Sequence, residues 1–298
     1  MTTFIDPGFM KKLERLHLIA KRLNWNGAAG EHTASRKGSS LEFSDYRRYQ
    51  RGDDLRYVDW NVYRRLDRLL LKVFTAEEEM NLYLLLDTSA SMAARVATAD
   101  PGLAKIGYAK KVAAALGYIG LANLERVGGA AFSATLHAPL RSDRGRAQIL
   151  RLFTFLEALS CGGATDLRAA TRRFAAVFPR PGLVVMLSDL LDPHGWRSAV
   201  EELTRHRHQV LVVHIVDDDD CEPGLAGEVT LVDAEGSRER RLYIDEALER
   251  RFRAELANYF RDIETACAGL GIDYLRTTTR VPFDEFVLKS LRQTASVS

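Results

Sequence analysis

Short apolar segments that alternate with helical patterns constrain the fold of this 298-residue chain more than any other feature. Apolar runs at residues 81–86, 183–187 and 210–216 are typical of strands that are buried on both faces, as in parallel sheets. Between and beside them, apolar residues recur at helical spacing in residues 103–123, 145–158, 166–177 and 194–206. Strands that alternate with helices of this length predict an α/β fold built on an open, mostly parallel sheet with right-handed crossovers.

The remaining segments extend this pattern at both ends. After the third apolar run, residues 228–233 and 240–244 flank Glu235-Gly236 and predict a β-hairpin. The chain then continues with three predicted elements, which are a helix at 245–269, a strand at 272–275 and a helix at 282–292. Two more strands are predicted at 127–132 and, as a short edge strand, at 135–138.

The N-terminal part differs in pattern. Asp6-Pro7 can begin an amphipathic helix that extends to Leu23, and the polar stretch 26–40 is predicted to be a loop. Strand patterns follow at Leu41 and at residues 69–74. We therefore divide the chain into an N-terminal helix and β segment, residues 1–80, and an α/β domain, residues 81–298, that carries the hairpin at about 228–244.

Composition excludes several classes of protein. The 42 Lys and Arg residues nearly balance the 40 Asp and Glu residues, and this balance disfavours a dedicated nucleic-acid binder. The three cysteines are widely spaced, so they predict neither a disulfide framework nor a zinc site. The chain has no apolar run long enough to span a membrane and begins with no signal-peptide pattern, so we expect a cytoplasmic protein without a membrane span.

Oxygen-bearing side chains follow the predicted strands at the sheet edge where ligands bind in open α/β folds. Asp87, Ser89 and Ser91 come after the first apolar run, Thr165 follows two glycines, and Asp189 follows a later run. Asp and Ser in this position also cap helices, but the combination of all three loops favours a site for Mg²⁺ or Mn²⁺, which prefer oxygen ligands. Because only two of these ligands are carboxylates, such a metal would accept a carboxylate from another protein.

Asp-x-Ser-x-Ser, Gly-Gly-x-Thr and a later Asp at a strand end resemble the metal-ion-dependent adhesion site of von Willebrand factor A domains. The resemblance covers about residues 81–278. It implies a Rossmann-like sheet with an antiparallel edge strand and helices on both faces. It also implies a metal ion held by Asp87, Ser89, Ser91, Thr165 and Asp189, with one or both aspartates acting partly through water.

A second resemblance spans nearly the whole chain. The segment Tyr49–Trp60 (YQRGDDLRYVDW), the later Glu77-Glu78-Glu79 run and the LLLDTSASM segment are similar to the DUF58 family. Members of that family are bacterial or archaeal and carry a von Willebrand A-like domain. They are often encoded beside MoxR-type AAA+ ATPases, which the resemblance implies as a partner. Many members carry N-terminal membrane helices, which this sequence lacks.

The cluster Asp53, Arg56, Asp59 and Trp60 permits two interpretations. It can form ion pairs that join the N-terminal strands to the α/β domain, which we favour. Alternatively, its arginines, with Arg47, Arg48 and Arg51, can contact a partner or a phosphate group. Of two isolated residues, His214 is predicted to be a hydrogen-bonded core histidine, and Cys161 a small buried apolar residue rather than a redox switch.

These observations favour a metal-dependent protein-interaction module or adaptor over an enzyme, because no catalytic nucleophile and base are evident. The resemblance implies a chaperone-like or complex-maturation role with the ATPase. A metal-dependent phosphohydrolase is the alternative, but haloacid dehalogenase phosphatases need a second acid where this chain has Ser89. A nucleotide-binding fold would need a glycine-rich motif after the first strand, and the Asp87 segment has no glycine.

Overall fold

A computed structural model describes residues 6–22, 41–76, 81–93, 104–221, 224–236 and 239–296. The strands are β1 (Leu41–Arg48), β2 (Leu70–Ala76), β3 (Asn81–Asp87), β4 (Arg126–Phe132), β5 (Leu136–Asp143), β6 (Leu183–Ser188), β7 (Gln209–Val216), β8 (Gly227–Val232), β9 (Glu239–Ile244) and β10 (Asp273–Thr278). The helices are α1 (Pro7–Arg22), α2 (Trp60–Leu66), α3 (Ala90–Ala93), α4 (Lys105–Ala122), α5 (Arg146–Ala158), α6 (Leu167–Val177), α7 (Arg197–Arg205), α8 (Asp218–Cys221), α9 (Glu246–Gly269) and α10 (Phe283–Ser296). No helix among these residues has the length and apolar character needed to cross a bilayer.

A six-stranded sheet in the order β10-β7-β6-β3-β4-β5 forms the centre of the larger unit. All neighbouring strands are parallel except β5, which runs antiparallel to β4 at the edge. Strands β3, β4 and β5 follow one another towards one edge of the sheet, and β6, β7 and β10 follow one another towards the other edge. The strand order therefore reverses between β3 and β6, which is where ligands bind in doubly wound folds. The open, mostly parallel α/β fold is confirmed.

Alternate side chains of the apolar strands explain the two layers of helices. All residues of β3 are buried, because the strand lies in the middle of the sheet. Leu82, Leu84 and Leu86 face a core that includes α4, whereas Tyr83 and Leu85 face a second core that includes α6 and α7. Successive side chains of a strand point to opposite faces, so a continuous apolar run requires cover on both.

Helix α1 packs in the larger unit. Its apolar face, Phe9, Leu13, Leu16 and Ala20, is buried in the same core as α4, and Phe9 stacks on Phe283 of α10 at 5.1 Å between ring centroids. The division of the chain from sequence placed this helix with the N-terminal strands. In the structure the compact smaller unit contains β1 to β2 but not α1. The physical reason is that the amphipathic face of α1 finds its apolar partners on α4 and α10.

Two strands are longer than the sequence pattern predicted. The edge strand β5 covers Leu136–Asp143 instead of residues 135–138, and β10 covers Asp273–Thr278 instead of 272–275. Strand β5 contains half-buried and exposed residues in no regular alternation, and it includes Pro139, so its apolar signal is weak. An edge strand tolerates both features, because one side of its backbone has no neighbouring strand.

The smaller unit is an antiparallel hairpin of β1 and β2 with helical turns between its strands. Asp59 caps α2 by accepting hydrogen bonds from the backbone N–H groups of Asn61 and Val62, at 3.0 and 3.2 Å. Val58 forms an isolated bridge with Leu71 of β2, and both side chains are buried. The polar segment between the two strands is therefore ordered by a helix cap and a small apolar contact.

Candidate metal centre

The carboxyl ends of β3 and β6 bring Asp87 and Asp189 to the same edge of the sheet. Asp87 ends β3 and is fully buried, and its Oδ2 accepts a hydrogen bond of 2.6 Å from the hydroxyl of Ser188, which ends β6. Its Oδ1 accepts a hydrogen bond of 2.9 Å from the backbone N–H of Ser89, and the hydroxyls of Ser89 and Ser91 are 3.0 Å apart. Two neighbouring strand ends thus gather carboxylate and hydroxyl oxygens at the point where the strand order reverses.

The loop that carries Thr165 is hydrogen-bonded to the loop after β3. The N–H of Gly162 donates to the carbonyl of Thr88 at 2.8 Å, and the N–H of Ala90 donates to the carbonyl of Gly163 at 3.0 Å. Gly163 has a φ of 82°, a left-handed conformation that favours glycine. Thr165 itself is buried, with 3% of its surface exposed. The structure therefore brings all three predicted loops to one edge of the sheet, while metal binding by their side chains stays a prediction.

Electrostatics at this edge favour an added cation. Burial raises the pKa of Asp87, and the nearby carboxylate of Asp189 raises it further, while hydrogen bonds from Ser188 and Ser89 oppose the shift. A divalent cation would stabilise the charged form of Asp87, because it offsets the desolvation of that carboxylate and its repulsion by Asp189. The oxygen donors fit Mg²⁺ or Mn²⁺ in type. Within the described ranges, no group of three or more His, Cys, Asp or Glu side chains is arranged to hold a metal, so hydroxyls would have to supply part of the ligand set.

A buried lysine, which sequence reasoning missed, already neutralises part of this charge. The ammonium of Lys105, at the start of α4, lies 2.8 Å from Oδ2 of Asp189 and 2.8 Å from Oδ2 of Asp220. The side chains of Lys105 and Asp189 are each only 2% exposed. Burial lowers the pKa of Lys105, but the charges and hydrogen bonds of both aspartates raise it by more, and the net shift is upward. Lys105 is therefore a resident cation beside a predicted metal ligand.

The backbone around Asp189 is held by its own side-chain contacts and by His214 of β7. Nε2 of His214 lies 3.0 Å from the carbonyl oxygen of Asp189, and its Nδ1 lies 2.7 Å from the hydroxyl of Tyr274. Burial lowers the pKa of His214 to about 4, so the ring is neutral at physiological pH. Leu190, the next residue, has a φ of 57°, which is unusual for a residue with a branched side chain. The prediction that His214 is a hydrogen-bonded core histidine is confirmed.

Cys161 and Thr88 are two residues near this edge whose side chains carry a thiol and a hydroxyl. Burial raises the pKa of the Cys161 thiol to about 11, helped by the charges of Asp87 and Asp189 and opposed by Lys110. Cys161 packs against the core as a partly buried apolar residue. The hydroxyl of Thr88 lies 3.1 Å from Nε2 of His137, but Thr88 is 1% exposed and its hydroxyl also lies 2.8 Å from the carbonyl of Phe132. The hydroxyl of Thr88 is therefore buried and engaged in contacts within the chain.

The turn of the β8–β9 hairpin reaches Thr165, which sequence reasoning also missed. Oε1 of Glu235 accepts a hydrogen bond of 2.5 Å from the hydroxyl of Thr165, and Oε2 accepts one of 2.8 Å from its backbone N–H. The sequence predicted the hairpin and its Glu235-Gly236 turn, but no local pattern indicates where the turn points. Ser188 directly precedes Asp189 at a strand end, so its position near the predicted ligands follows from the sequence. Its hydrogen bond to Asp87 does not.

Ion pairs within the smaller unit order the cluster around Asp53 and Asp59. Arg47 and Asp53 form a two-pronged pair with both distances at 2.7 Å. Asp59 accepts a hydrogen bond of 2.8 Å from the hydroxyl of Tyr46 and lies 3.1 Å from the ammonium of Lys72. These contacts lower the pKa of Asp59 to about 2, with the hydrogen bond from Tyr46 as the largest cause. The contacts support a structural role for Asp53 and Asp59 inside this unit.

Two other members of that cluster are exposed. Arg56 pairs with Asp54 at 2.6 Å, and its side chain is 83% exposed. Trp60, the first residue of α2, is 54% exposed and stacks edge-on against Tyr63, with 6.1 Å between ring centroids. These two side chains lie on the surface of the smaller unit, whereas Asp59 is buried and Asp53 is half-buried.

Comparison with known proteins decides the family. A family model described as "Protein of unknown function DUF58" matches residues 45–262. The chain belongs to the DUF58 family. Over 277 residues this DUF58 chain is 29% identical to the uncharacterized protein Rv1480 of Mycobacterium tuberculosis, and the match covers 92% of the chain and 86% of that protein.

Two solved structures are similar to this chain at low sequence identity. The conserved hypothetical protein BatB from Bacteroides thetaiotaomicron is 14% identical, with a TM-score of 0.42, and the match covers 73% of the DUF58 chain and 99% of BatB. A von Willebrand factor type A protein from Catenulispora acidiphila is 11% identical, with a TM-score of 0.38, over 76% of the DUF58 chain and 43% of that protein. The strand order and the antiparallel edge strand described above are those of a von Willebrand A-like sheet.

Proposed function

We propose that this DUF58 protein is a metal-dependent protein-interaction module. Its predicted ligands for Mg²⁺ or Mn²⁺ are Asp87, Ser89, Ser91, Thr165 and Asp189. A bound cation would supply an open coordination position for a Glu or Asp side chain of a partner protein. The observation that carries the proposal is the fully buried carboxylate of Asp87, which is surrounded by hydroxyls and lies beside a second carboxylate at the strand-order switch.

Residues of the chain itself prepare this edge for binding. The hydroxyl of Ser188 fixes the carboxylate of Asp87, and the ammonium of Lys105 fixes the carboxylate of Asp189. The hydrogen bonds between the loops of Thr88 and Gly163 hold the hydroxyl-bearing segments in place. Fixed donors lose little entropy when a ligand binds, so a preformed edge favours recognition. No residue in this arrangement is assigned a catalytic role.

The proposed partner is a MoxR-type AAA+ ATPase, in a cytoplasmic chaperone-like or complex-maturation role. Membership of the DUF58 family supports this part of the proposal. A co-purification experiment with an ATPase encoded beside the gene tests it. We expect wild-type protein to retain the ATPase in Mg²⁺ and to lose it in EDTA, whereas Asp87→Asn should not retain it in either buffer. Equal retention in both buffers would contradict a role for the metal in this contact.

Calorimetric titration of Mg²⁺ and Mn²⁺ in metal-stripped buffer tests the metal centre directly. Asp87→Asn should weaken binding by more than about 100-fold, since even residues behind metal ligands contribute 10–100-fold. Asp143→Asn is the matched control, because Asp143 pairs with Val127 at the opposite end of the parallel strands. Binding that is equally strong in Asp87→Asn and wild type would place the cation elsewhere and overturn the proposal.

A further inference from the structure

Both carboxylate oxygens of Glu235 are used in one contact with the predicted metal centre. They accept hydrogen bonds from the hydroxyl and from the backbone N–H of Thr165, which lies 70 positions earlier in the chain. The N–H of Glu235 donates in turn to Oδ1 of Asp233 at 3.0 Å, so a local turn holds the glutamate in the orientation that reaches Thr165. A half-buried acid in an exposed turn thereby contacts a residue that is 3% exposed.

Packing of the hairpin strands does not account for this contact. Leu231, Val232 and Tyr243 are 42%, 65% and 68% exposed, so large apolar side chains of β8 and β9 remain in solvent. Charge-assisted hydrogen bonds to a carboxylate are about twice as strong as bonds between neutral groups. The Glu235–Thr165 contact is therefore a specific anchor of the turn on the site, made by the same chemical group that a partner would present.

We propose that Glu235 is an internal ligand of this site, whose carboxylate takes the place at Thr165 that an acidic side chain of a partner protein must occupy. This inference rests on the proposed function. Its consequence is that the β8–β9 turn must leave Thr165 before a partner carboxylate can bind. The hairpin then acts as a competitor that is built into the chain.

Glu235 competes effectively because it belongs to the same chain as Thr165. A group linked through a short flexible segment reaches an effective concentration of about millimolar at its site. The apparent affinity of an outside carboxylate falls by the fraction of time during which the site is open. Weak acids at low concentration are thus excluded, and a partner must either bind more strongly or also contact the hairpin.

Two variants separate Glu235 from the rest of the hairpin. Glu235→Gln keeps the size of the side chain but removes its charge and one strong acceptor. Glu228→Gln is the matched control, because Glu228 is an exposed glutamate on β8 of the same hairpin. Hydrogen exchange at the Thr165 amide in metal-stripped buffer tests the contact itself. We expect exchange about tenfold faster in Glu235→Gln than in wild type, and no change in Glu228→Gln.

Competition is measured with Mn²⁺ as the probe ion and acetate as the outside carboxylate. Water-proton relaxation reports the water molecules bound to protein-held Mn²⁺, and acetate that enters the coordination sphere displaces them. We expect the acetate concentration for half-displacement to be about tenfold lower in Glu235→Gln than in wild type or Glu228→Gln. Chloride at equal ionic strength controls for salt.

The outcomes distinguish failure of the internal ligand from failure of the metal centre. Mn²⁺ binding in all three proteins with the same acetate dependence overturns the internal ligand and leaves the metal centre standing. Unchanged exchange at Thr165 in Glu235→Gln also overturns it, whether or not metal is present. Absence of Mn²⁺ binding in wild type and Glu228→Gln refutes the proposed function, and the internal ligand falls with it.

Discussion

Replacing Lys105 with methionine should destabilise the α/β unit by about 3–5 kcal/mol, the usual effect of removing one partner from a buried ion pair. The structure places this change in the upper class of single substitutions, because the side chains of Lys105 and Asp189 are each 2% exposed and their charged atoms are 2.8 Å apart. Asp220 is 39% exposed, so its charge is largely solvated when the ammonium is lost. The carboxylate of Asp189 is then the main uncompensated charge.

Thermal unfolding by circular dichroism measures this effect. A domain of 150–250 residues loses roughly 2–4 °C in Tm for each kcal/mol, so we expect Lys105→Met to lower Tm by roughly 6–20 °C. Lys111→Met, a half-buried position on the same helix, is the control and should have a small effect. In a double-mutant cycle, Asp189→Asn should recover part of the loss in Lys105→Met, because it removes the unpaired charge.

The same thermal unfolding experiment can be repeated with saturating Mg²⁺. In Lys105→Met, a divalent cation at Asp189 no longer meets a neighbouring ammonium, so saturating Mg²⁺ should raise the Tm of this variant more than that of wild type. A cost of less than about 1 kcal/mol for Lys105→Met, additive with that of Asp189→Asn, would contradict a stabilising ion pair between these two residues. If Mg²⁺ raises the Tm of both proteins equally, the cation does not compete with Lys105 at Asp189.

Three further predictions concern other parts of the chain. Burial raises the pKa of Glu125 to about 7, so the free energy of unfolding should fall by at most about 3 kcal/mol as the pH rises from about 4.5 to 7. Urea titrations should show a flatter pH dependence of stability for Glu125→Gln than for wild type. The pKa of Asp59 is lowered, so its stabilising contribution is lost as the pH falls from 3.8 towards 2. NMR spectra should show the smaller unit losing structure over this pH range. A loss that is the same in Asp59→Asn would contradict this prediction. A side-chain carbon at Gly129 would lie 2.3 Å from the carbonyl oxygen of Leu84, so Gly129→Ala should cost at least about 1–3 kcal/mol in chemical denaturation, and an unchanged midpoint would show that β3 and β4 can separate.

The sheet could be predicted because its strands carry the signal in their own residues. Leu84 and Val185 belong to strands that are buried on both faces of the sheet, so these strands are apolar throughout. Such a continuous apolar run is visible in one short segment of sequence. The same holds for Asp87 and Asp189, since the ends of parallel strands meet at one edge whatever the details of the helices. Local sequence and overall topology together therefore predicted that these two strand ends lie at the same edge of the sheet.

Lys105 and Glu235 could not be predicted, because each acts through a contact between distant segments. Lys105 lies 84 residues before Asp189, and a lysine in the first turn of a helix is ordinarily solvated. Glu235 occupies a turn, and its contact with Thr165 joins residues that are 70 positions apart in the chain. Contacts of this type follow from tertiary packing and leave no periodicity in the sequence.

The β8–β9 hairpin begins and ends within a single crossover, between β7 and α9 of the α/β unit. Its strands pair with each other, so the hydrogen bonding of the central sheet does not include them. Loop-closure entropy changes by only about 0.6 kcal/mol for each doubling of loop length, so such an insertion can grow, shrink or be exchanged with little effect on folding. Divergence among related chains can accordingly change the side chain that contacts Thr165 through the hairpin alone, while the scaffold beneath it stays the same.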